Sequence, residues 1–278
     1  MPQNDLKLRP SEPVAVERFT FAGARNDEVR AAAVETPVNI VYAPIPFAVM
    51  MCSPQDLEDF AIGFSFTEGI IDSIDDIRSV VVEEDSERRG LRLVVSLASD
   101  KMQRHLARAR NISGRTGCGV CGIDDLSAMP CARALVSPPF MLGAQSISRA
   151  LDELVSRQTL NAQTGATHAA GWCTSAGEVL AVREDVGRHN ALDKLIGRLL
   201  QDRVDPASGF FVITSRCSFE MLEKVAAFGA RAVVAISAPT SLAIERARLH
   251  GVTLVALARN GGAVVFNGSE YLSVRASI

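Results

Sequence analysis

The chain has 278 residues, and 47% of them are hydrophobic, which is enough to fill one large domain or two ordinary ones. Its 29 Lys and Arg residues and 32 Asp and Glu residues give a formal net charge of -3, so no basic field favours nucleic acid or an anionic membrane as a partner. No apolar run reaches the roughly 18–20 residues of a membrane span, and no secretion signal opens the chain. We therefore expect a cytoplasmic protein that binds neither nucleic acid nor membranes.

Residues 1–110 are predicted to form a small α+β domain. In Ser53-Pro54-Gln55-Asp56 a serine N-cap precedes a proline at the first helical position, so a helix should follow, and Gly69 is its expected end. Runs of apolar and β-branched residues predict strands at 37–43, 47–52, 80–82 and 91–97, after a tail and a first strand within 1–30.

Residues 111–140 interrupt this pattern with glycines, prolines and a CxxC pair, Cys118 and Cys121. Glycine lacks the Cβ that restricts the backbone, and four glycines within nine residues predict a mobile loop. A redox CxxC of the thioredoxin kind places its first cysteine at the start of a helix, and the glycines disfavour a helix at Cys118.

The six cysteines are too sparse for a disulfide scaffold, so reduced thiols are expected. Cys52, Cys173 and Cys217 stand among hydrophobic neighbours, where a free cysteine behaves as a small apolar residue. We expect a structural role for these three.

Three chemistries compete for the CxxC. A structural zinc site needs four ligands, and the chain has no second CxxC. A dithiol–disulfide switch lacks the usual helical context. A sulfur carrier needs a thiolate, access to a donor protein and mobility. The glycine-rich loop offers mobility and access, and Arg115 favours the thiolate while Asp124 and Asp125 oppose it.

Residues 141–278 alternate predicted helices and strands, which implies a sheet, largely parallel, covered by helices. The helices are predicted at 148–157, 188–201, 218–229 and 241–250, and the strands at 178–183, 210–214, 232–237, 252–257 and 263–266.

Three polar junctions lie where strands of this sheet end and helices begin, which is where open α/β sheets bind ligands. They are 183–190, 214–220 and 237–241. Helix N-termini offer free backbone N–H groups and a positive dipole end, and both suit phosphate. Because these junctions also supply arginines, we expect a phosphorylated or nucleotide-bearing ligand; the alternative is three ordinary capped helices. The arginines are Arg183, Arg188 and Arg216.

His168 is a candidate metal ligand, because it opens the segment His168-Ala169-Ala170. A zinc deaminase has H-x-E followed by P-C-x-x-C, and its glutamate moves protons while three side chains hold the metal. Ala170 stands at the glutamate position here, and no P-C-x-x-C follows it. Zinc deaminase chemistry is therefore not expected, and His168 is either a ligand contact or a structural residue.

Several motifs are distributed over nearly the whole chain. The most specific are the CxxC and the string Glu-Asp-Val-Gly-Arg-His-Asn-Ala-Leu-Asp-Lys at 184–194. The others occupy 37–40, 59–64, 68–71, 165–170, 237–240 and 257–262. Together they resemble the formate dehydrogenase accessory sulfurtransferases, a family of sulfur carriers for the molybdenum cofactor.

The resemblance implies a cytidine-deaminase-like, three-layer α/β domain over 141–278 that lacks catalytic zinc, beside the smaller α+β domain. It implies a homodimer that passes sulfur from a cysteine desulfurase to bis-molybdopterin guanine dinucleotide destined for formate dehydrogenase. By motif position, Cys118 carries the persulfide and Cys121 assists or shares it. The segment 257–262 matches the family's cofactor-binding loop, and the polar junctions would then hold the guanine nucleotide ends of the cofactor. The candidate cofactor-binding residues are Leu257, Ala258, Arg259, Asn260, Gly261, Gly262, His168, Arg183, Arg188, His189, Ser215, Arg216, Ser237 and Thr240.

Two other functions remain open from the sequence. One is a non-catalytic chaperone that binds the molybdenum cofactor while its cysteines only support the loop. The other is a zinc-binding module whose further ligands are scattered along the chain.

Overall fold

The computed structural model describes residues 8–99, 132, 138–259 and 261–274. The described chain begins with a hairpin, in which β1 (Ser11–Phe19) pairs antiparallel with β2 (Arg25–Ala33). Only one strand was predicted in this region. The second was missed because Arg, Asn, Asp and Glu fill its first half, and these residues disfavour a strand.

A four-stranded sheet follows, with the order β4-β3-β6-β5. Strands β3 and β6 are parallel, and the two other pairs are antiparallel. All four strands predicted here are confirmed. Their bounds are β3 Thr36–Tyr42, β4 Ile45–Cys52, β5 Ile77–Asp85 and β6 Gly90–Leu97.

Helix α1 (Leu57–Thr67) packs on this sheet through a face that includes Phe60 and Phe64. It ends as predicted at Gly69, which adopts a φ of 68°. Its predicted start was wrong, because the N-cap is Asp56 and not Ser53. Ser53 instead forms hydrogen bonds with the loop after β9. Its amide donates to Asp185 Oδ2 at 2.9 Å, and its Oγ accepts from the Val186 amide at 3.1 Å.

The second unit is a six-stranded sheet of order β13-β12-β11-β10-β8-β9. Its strands are β8 His168–Thr174, β9 Val179–Asp185, β10 Gly209–Ile213, β11 Ala232–Ala235, β12 Thr253–Arg259 and β13 Gly262–Asn267. The helices are α2 Ala144–Arg157, α3 Thr159–Thr164, α4 Arg188–Gln201, α5 Phe219–Phe228 and α6 Ser241–His250. Short segments β7 Leu142–Gly143 and β14 Leu272–Ser273 pair with each other.

Alternate residues of the strands face two separate cores. In β10, Phe211 and Ile213 belong to the core formed with α4, α5 and α6, whereas Phe210 and Val212 belong to the core that contains Leu154 of α2. Side chains of successive strand residues point to opposite faces, which explains this division. Helices therefore cover both faces of the sheet; the comparison with cytidine deaminases stays a prediction.

The prediction of a largely parallel sheet was wrong. Only β10, β11 and β12 run parallel, while β8, β9 and β13 join them antiparallel. The connections from β8 to β9 and from β12 to β13 are too short for a parallel crossover, which needs a dozen or more residues. The β8 strand itself was not predicted, because it opens with His-Ala-Ala-Gly, which has little strand propensity.

The two units meet where α1 crosses α4. Gly63 of α1 faces the α4 backbone so closely that a Cβ added there would lie 2.7 Å from the Gly197 amide nitrogen. A Cβ added at Gly197 would in turn lie 2.9 Å from the Gly63 nitrogen. This glycine pair lets two helix backbones touch, and it fixes the N-terminal unit against the sheet that carries the polar junctions. The predicted domain boundaries stay a prediction, since most of 111–140 lies outside the described residues.

Candidate functional site

One edge of the six-stranded sheet brings the predicted site residues together. The parallel strands β10, β11 and β12 end at this edge, and the antiparallel β8 begins and β9 ends there, with His168 opposite Asp185. Helices α4, α5 and α6 begin beside it. We call this region the polar edge, and its described members include His168, Arg188, His189, Ser215, Arg216, Ser218, Ser237, Thr240, Leu257, Ala258 and Arg259.

Three buried polar atoms at the polar edge have no hydrogen-bond partner among the described residues. They are Arg188 Nε, His189 Nε2 and Ser218 Oγ. His189 Nε2 has a carboxylate contact instead, 2.8 Å from Glu220 Oε2, so Arg188 Nε and Ser218 Oγ are the unsatisfied atoms of the polar edge among the described residues. An unsatisfied buried polar atom costs about 1–3 kcal/mol. A pair of such atoms at the start of two helices is consistent with a polar ligand that completes their hydrogen bonds.

His168 stands at the start of β8 and is half-buried. Burial lowers its pKa from the ordinary value of 6.5, and the nearby charges of Arg188 and His189 lower it further, while Asp185 opposes them. The imidazole is therefore neutral near pH 7 and can both donate and accept a hydrogen bond. Among the residues that the structure describes, no group of His, Cys, Asp and Glu is arranged to hold a metal ion.

The backbone of the 257–262 segment is irregular where β12 meets β13. Leu257 has a φ of 52°, which is rare for a residue with a bulky side chain, and the register shifts between Ala256 and Arg259. The Leu257 amide donates to the Ser237 carbonyl at 3.2 Å, which ties this bulge to the end of β11. Bulges and strained backbone are common beside functional sites, where they redirect side chains.

Glycines form the turn of the same segment. Gly261 has a φ of 90°, and a Cβ added at Gly261 or Gly262 would meet no atom within 4 Å. Gly261 is therefore needed for its backbone conformation, and neither glycine is needed for close packing. Asn260 lies outside the described residues.

Several predicted site residues have structural partners. Arg183 Nε donates to Asp59 Oδ2 at 2.6 Å and thereby links β9 to α1. Thr240 Oγ1 accepts from the Ala243 amide at 3.3 Å and caps α6. Ser215 is buried, and its hydroxyl donates to the Arg216 carbonyl at 3.0 Å. Their proposed contacts with a ligand stay predictions.

Sequence reasoning missed the network that shapes the loop between β9 and α4. Lys194 and Asp185 form a fully buried ion pair at 2.7 Å, and the other Asp185 oxygen accepts from the Gly187 amide and from Asn190 Nδ2. Glu184 caps α3 by accepting the amides of two residues, Leu160 and Asn161. The sequence does show Glu184, Asp185 and Lys194 beside the apolar positions of α4. A single sequence does not show which acid contacts the lysine and which caps another helix.

The predicted sulfur-carrying residues, Cys118 and Cys121, lie outside the described residues. The cysteines that the structure describes are Cys52, Cys173 and Cys217, and all three are free and buried. The structural role predicted for these three agrees with this burial. None of the described helices is long and apolar enough to cross a membrane.

Comparison with known proteins places these observations in a family. Residues 33–273 match the model of the FdhD/NarQ family. A sulfur carrier protein FdhD from Xanthomonas axonopodis pv. citri (strain 306) is 43% identical over 271 residues, which cover 98% of this chain and 96% of that protein. A sulfur carrier protein FdhD from Bordetella bronchiseptica is 44% identical over 252 residues, covering 91% and 90%.

A solved structure agrees with this assignment. The crystal structure of a candidate formate dehydrogenase accessory protein from Desulfotalea psychrophila superposes with a TM-score of 0.73 at 27% identity, covering 95% of this chain and 100% of that one. The matched segment of the family model includes both sheets and the polar edge between β8 and β13. This chain therefore belongs to the FdhD/NarQ family, whose curated relatives are named sulfur carriers.

Proposed function

We propose that this protein accepts persulfide sulfur from a cysteine desulfurase and passes it to bis-molybdopterin guanine dinucleotide before that cofactor enters formate dehydrogenase. The names of its relatives support a sulfur carrier that assists formate dehydrogenase. The observation that carries the choice of acceptor is the pair of buried atoms, Arg188 Nε and Ser218 Oγ, that have no hydrogen-bond partner among the described residues and lie at the polar edge with His189 and Glu220. The homodimer and the cytoplasmic location rest on the family resemblance and on composition.

The polar edge has the chemistry that the guanosine diphosphate ends of this acceptor require. Helices α4, α5 and α6 present their N-terminal amides there, and helix N-termini favour phosphate through free N–H groups and the helix dipole. Arg216 and Arg259 are exposed at the same edge, so their guanidinium groups are available to phosphate oxygens. A locally basic edge explains how a chain of net charge -3 binds an anionic ligand.

The proposed sulfur transfer balances as two thiol exchanges. The Cys118 thiolate attacks the outer sulfur of the desulfurase persulfide, so a new S–S bond forms on Cys118 and the desulfurase cysteine leaves as a thiolate. The Cys121 thiolate then attacks Cys118 Sγ, and the outer sulfur leaves as hydrosulfide toward the acceptor. The two cysteines supply the two electrons and become a disulfide, which a thiol reductant must reopen before the next cycle.

Intact-mass analysis tests the carrier function directly. After incubation with a cysteine desulfurase and cysteine, the wild-type chain should gain one sulfur atom, and Cys118→Ala should not. Cys52→Ala is the matched control, because Cys52 is fully buried and should leave the added sulfur in place. Sulfur that persists on Cys118→Ala would contradict the assignment of Cys118.

The second candidate is a non-catalytic chaperone of the molybdenum cofactor. The polar edge supports this candidate, because a ligand can bind there without any contact to a thiol. In cells that lack the natural protein, a Cys118→Ala/Cys121→Ala double variant would then still activate formate dehydrogenase. Under the sulfur-carrier proposal, the double variant binds guanosine diphosphate but activates no dehydrogenase.

A further inference from the structure

A cavity of about 370 Å³ lies between the two units, beside the start of α4. Its volume falls within the range of ligand pockets, which is roughly 300–1,000 Å³. Three segments line it: the connection between β2 and β3, strand β4, and the loop that leads from β9 into α4. Gly187, the N-cap of α4, and His189 of the polar edge are both lining residues, so the cavity adjoins the helix start proposed to bind phosphate.

Strand β4 gives the cavity an apolar wall. Val49 and Met51 both line it, and their side chains lie on the same face of the strand because the two residues alternate with Met50. Val49 is 55% exposed and Met51 is 45% exposed, so a ligand in the cavity would remove apolar surface from water. Methionine sulfur also makes favourable contacts with aromatic rings. This wall therefore suits the flat face of a ring.

Two donors of the cavity are already used, whereas its carboxylate is not. The Gly187 amide donates to Asp185 Oδ1 at 2.7 Å, and Asn190 Nδ2 donates to the Met51 carbonyl at 2.8 Å. The carboxylate of Glu35 forms no hydrogen bond or ion pair with any residue that the structure describes. A carboxylate only accepts hydrogen bonds, so the matching ligand presents donors to Glu35.

Two N–H groups side by side on a flat ring match this arrangement. A carboxylate can accept such a pair in two parallel hydrogen bonds, as it does from an arginine side chain. A 2-amino-4-oxopyrimidine ring presents a ring N–H beside an amino N–H, and this ring occurs in both guanine and pterin. Adenine has no ring N–H at the corresponding edge, and hypoxanthine has no 2-amino group.

We propose that this cavity binds the 2-amino-4-oxopyrimidine ring of the sulfur acceptor and that Glu35 selects this ring. Glu35 accepts the ring N–H and the amino N–H, while Val49 and Met51 cover one face of the ring. The start of α4, at Gly187, lies at the same cavity and is available to the phosphates of the acceptor. This inference rests on the proposed function, because bis-molybdopterin guanine dinucleotide contains both guanine and pterin.

Calorimetric titration of the full chain with guanosine diphosphate and inosine diphosphate tests the role of Glu35, because the two nucleotides differ only in the 2-amino group. The wild type should bind guanosine diphosphate about tenfold more tightly, as one hydrogen bond to a charged group predicts. Glu35→Gln should lose most of this preference, since an amide has one acceptor and no charge. Glu178→Gln is the matched control, because it removes the same charge from an exposed residue at the other end of β9, and it should keep the preference.

Pterin and lumazine form a second pair, since lumazine carries an oxygen in place of the 2-amino group. A preference that depends on Glu35 within the nucleotide pair assigns the cavity to guanine, and one within the second pair alone assigns it to the pterin. Absent binding, equal affinities within both pairs, or preferences that Glu35→Gln leaves unchanged would overturn the inference. Sulfur loading of Cys118 needs none of these ligands, so its failure would reject the proposed function separately.

Discussion

The cysteines that the structure describes are poor nucleophiles. Burial raises the pKa of Cys173 and of Cys217 to about 12. Burial also raises the pKa of Cys52 well above its ordinary 9.0, and the neighbouring Asp185 adds to the rise. The thiolate is the reactive form of cysteine, so at pH 8 only about one in ten thousand molecules carries a reactive Cys173 or Cys217. Within the described chain, thiol transfer has no suitable residue.

Alkylation of the native protein should distinguish these three buried cysteines from Cys118, the proposed sulfur carrier. At pH 8, iodoacetamide should leave Cys52, Cys173 and Cys217 unmodified over the time in which it labels Cys118, and all should react after unfolding in guanidinium chloride. Peptide mass spectrometry gives the modified fraction at each position. Rapid labelling of Cys217 in the folded protein would contradict the burial on which the argument rests.

Ligand binding at the polar edge should change the titration of His168. The positive charge of Arg188 contributes to the lowered pKa of this imidazole. A diphosphate that pairs with Arg188 would offset that charge, so the His168 pKa should rise toward 6.5 when guanosine diphosphate binds. Because the bound state then takes up a proton more readily, affinity should increase as pH falls through this range and stay constant above it.

NMR titration of the His168 ring proton, with and without guanosine diphosphate, measures both pKa values. His168→Gln is the control for the binding experiment, since its affinity should lose this part of the pH dependence. An identical His168 titration in the free and the bound protein would place the ligand away from Arg188.

At the scale of elements, the contact between α1 and α4 depends on two glycines. Gly63→Ala and Gly197→Ala should each destabilise the protein, because the added Cβ meets the backbone of the other helix and not a flexible side chain. Overpacking costs about 1–3 kcal/mol. Alanine also gains about 1 kcal/mol of helix propensity over glycine, but a backbone collision cannot be relieved by a rotamer change, so the loss should dominate.

Urea unfolding measures this balance as a change in the free energy of unfolding. Gly262→Ala is the matched control, because a Cβ there would meet no atom within 4 Å, and its midpoint should equal that of the wild type. Gain of stability in Gly63→Ala would mean that the helices separate at little cost.

The bounds of some helices could be predicted from the sequence, whereas contacts between separate elements could not. Helices 188–201 and 241–250 were predicted with their observed bounds, because apolar periodicity and polar starts agree in both. The start of α1 was misplaced because Ser53 bonds with Asp185, a partner 132 residues away. The three polar junctions do lie along one edge of the sheet. Pairs such as Glu223 with His250 were not predictable, since they depend on contacts between separate elements.

At the scale of the whole molecule, the N-terminal unit supports the loop that begins α4. Asp185 accepts the Ser53 amide of the first unit, and Asn190 Nδ2 donates to the Met51 carbonyl at 2.8 Å. Lys194 completes this junction by donating to the Ser53 carbonyl at 2.9 Å. The geometry of Arg188 and His189, which lie between Asp185 and Asn190 in the chain, is therefore set by both units together. A change at this junction should affect ligand binding as well as stability.

Lys194→Met tests this coupling. The substitution leaves the buried Asp185 carboxylate without its cation, and removing one partner of a buried ion pair costs about 3–5 kcal/mol. Guanidinium unfolding should show this loss, and the folded variant should bind guanosine diphosphate more weakly, because the loop before α4 loses the contacts of Lys194 with Asp185 and with the Ser53 carbonyl. The control is Arg203→Met, which removes an ion pair with Asp75 that also spans the two units but is exposed, and its unfolding midpoint should not change. Full stability of Lys194→Met would show that the hydrogen bonds of Asp185 suffice to hold the junction without the lysine.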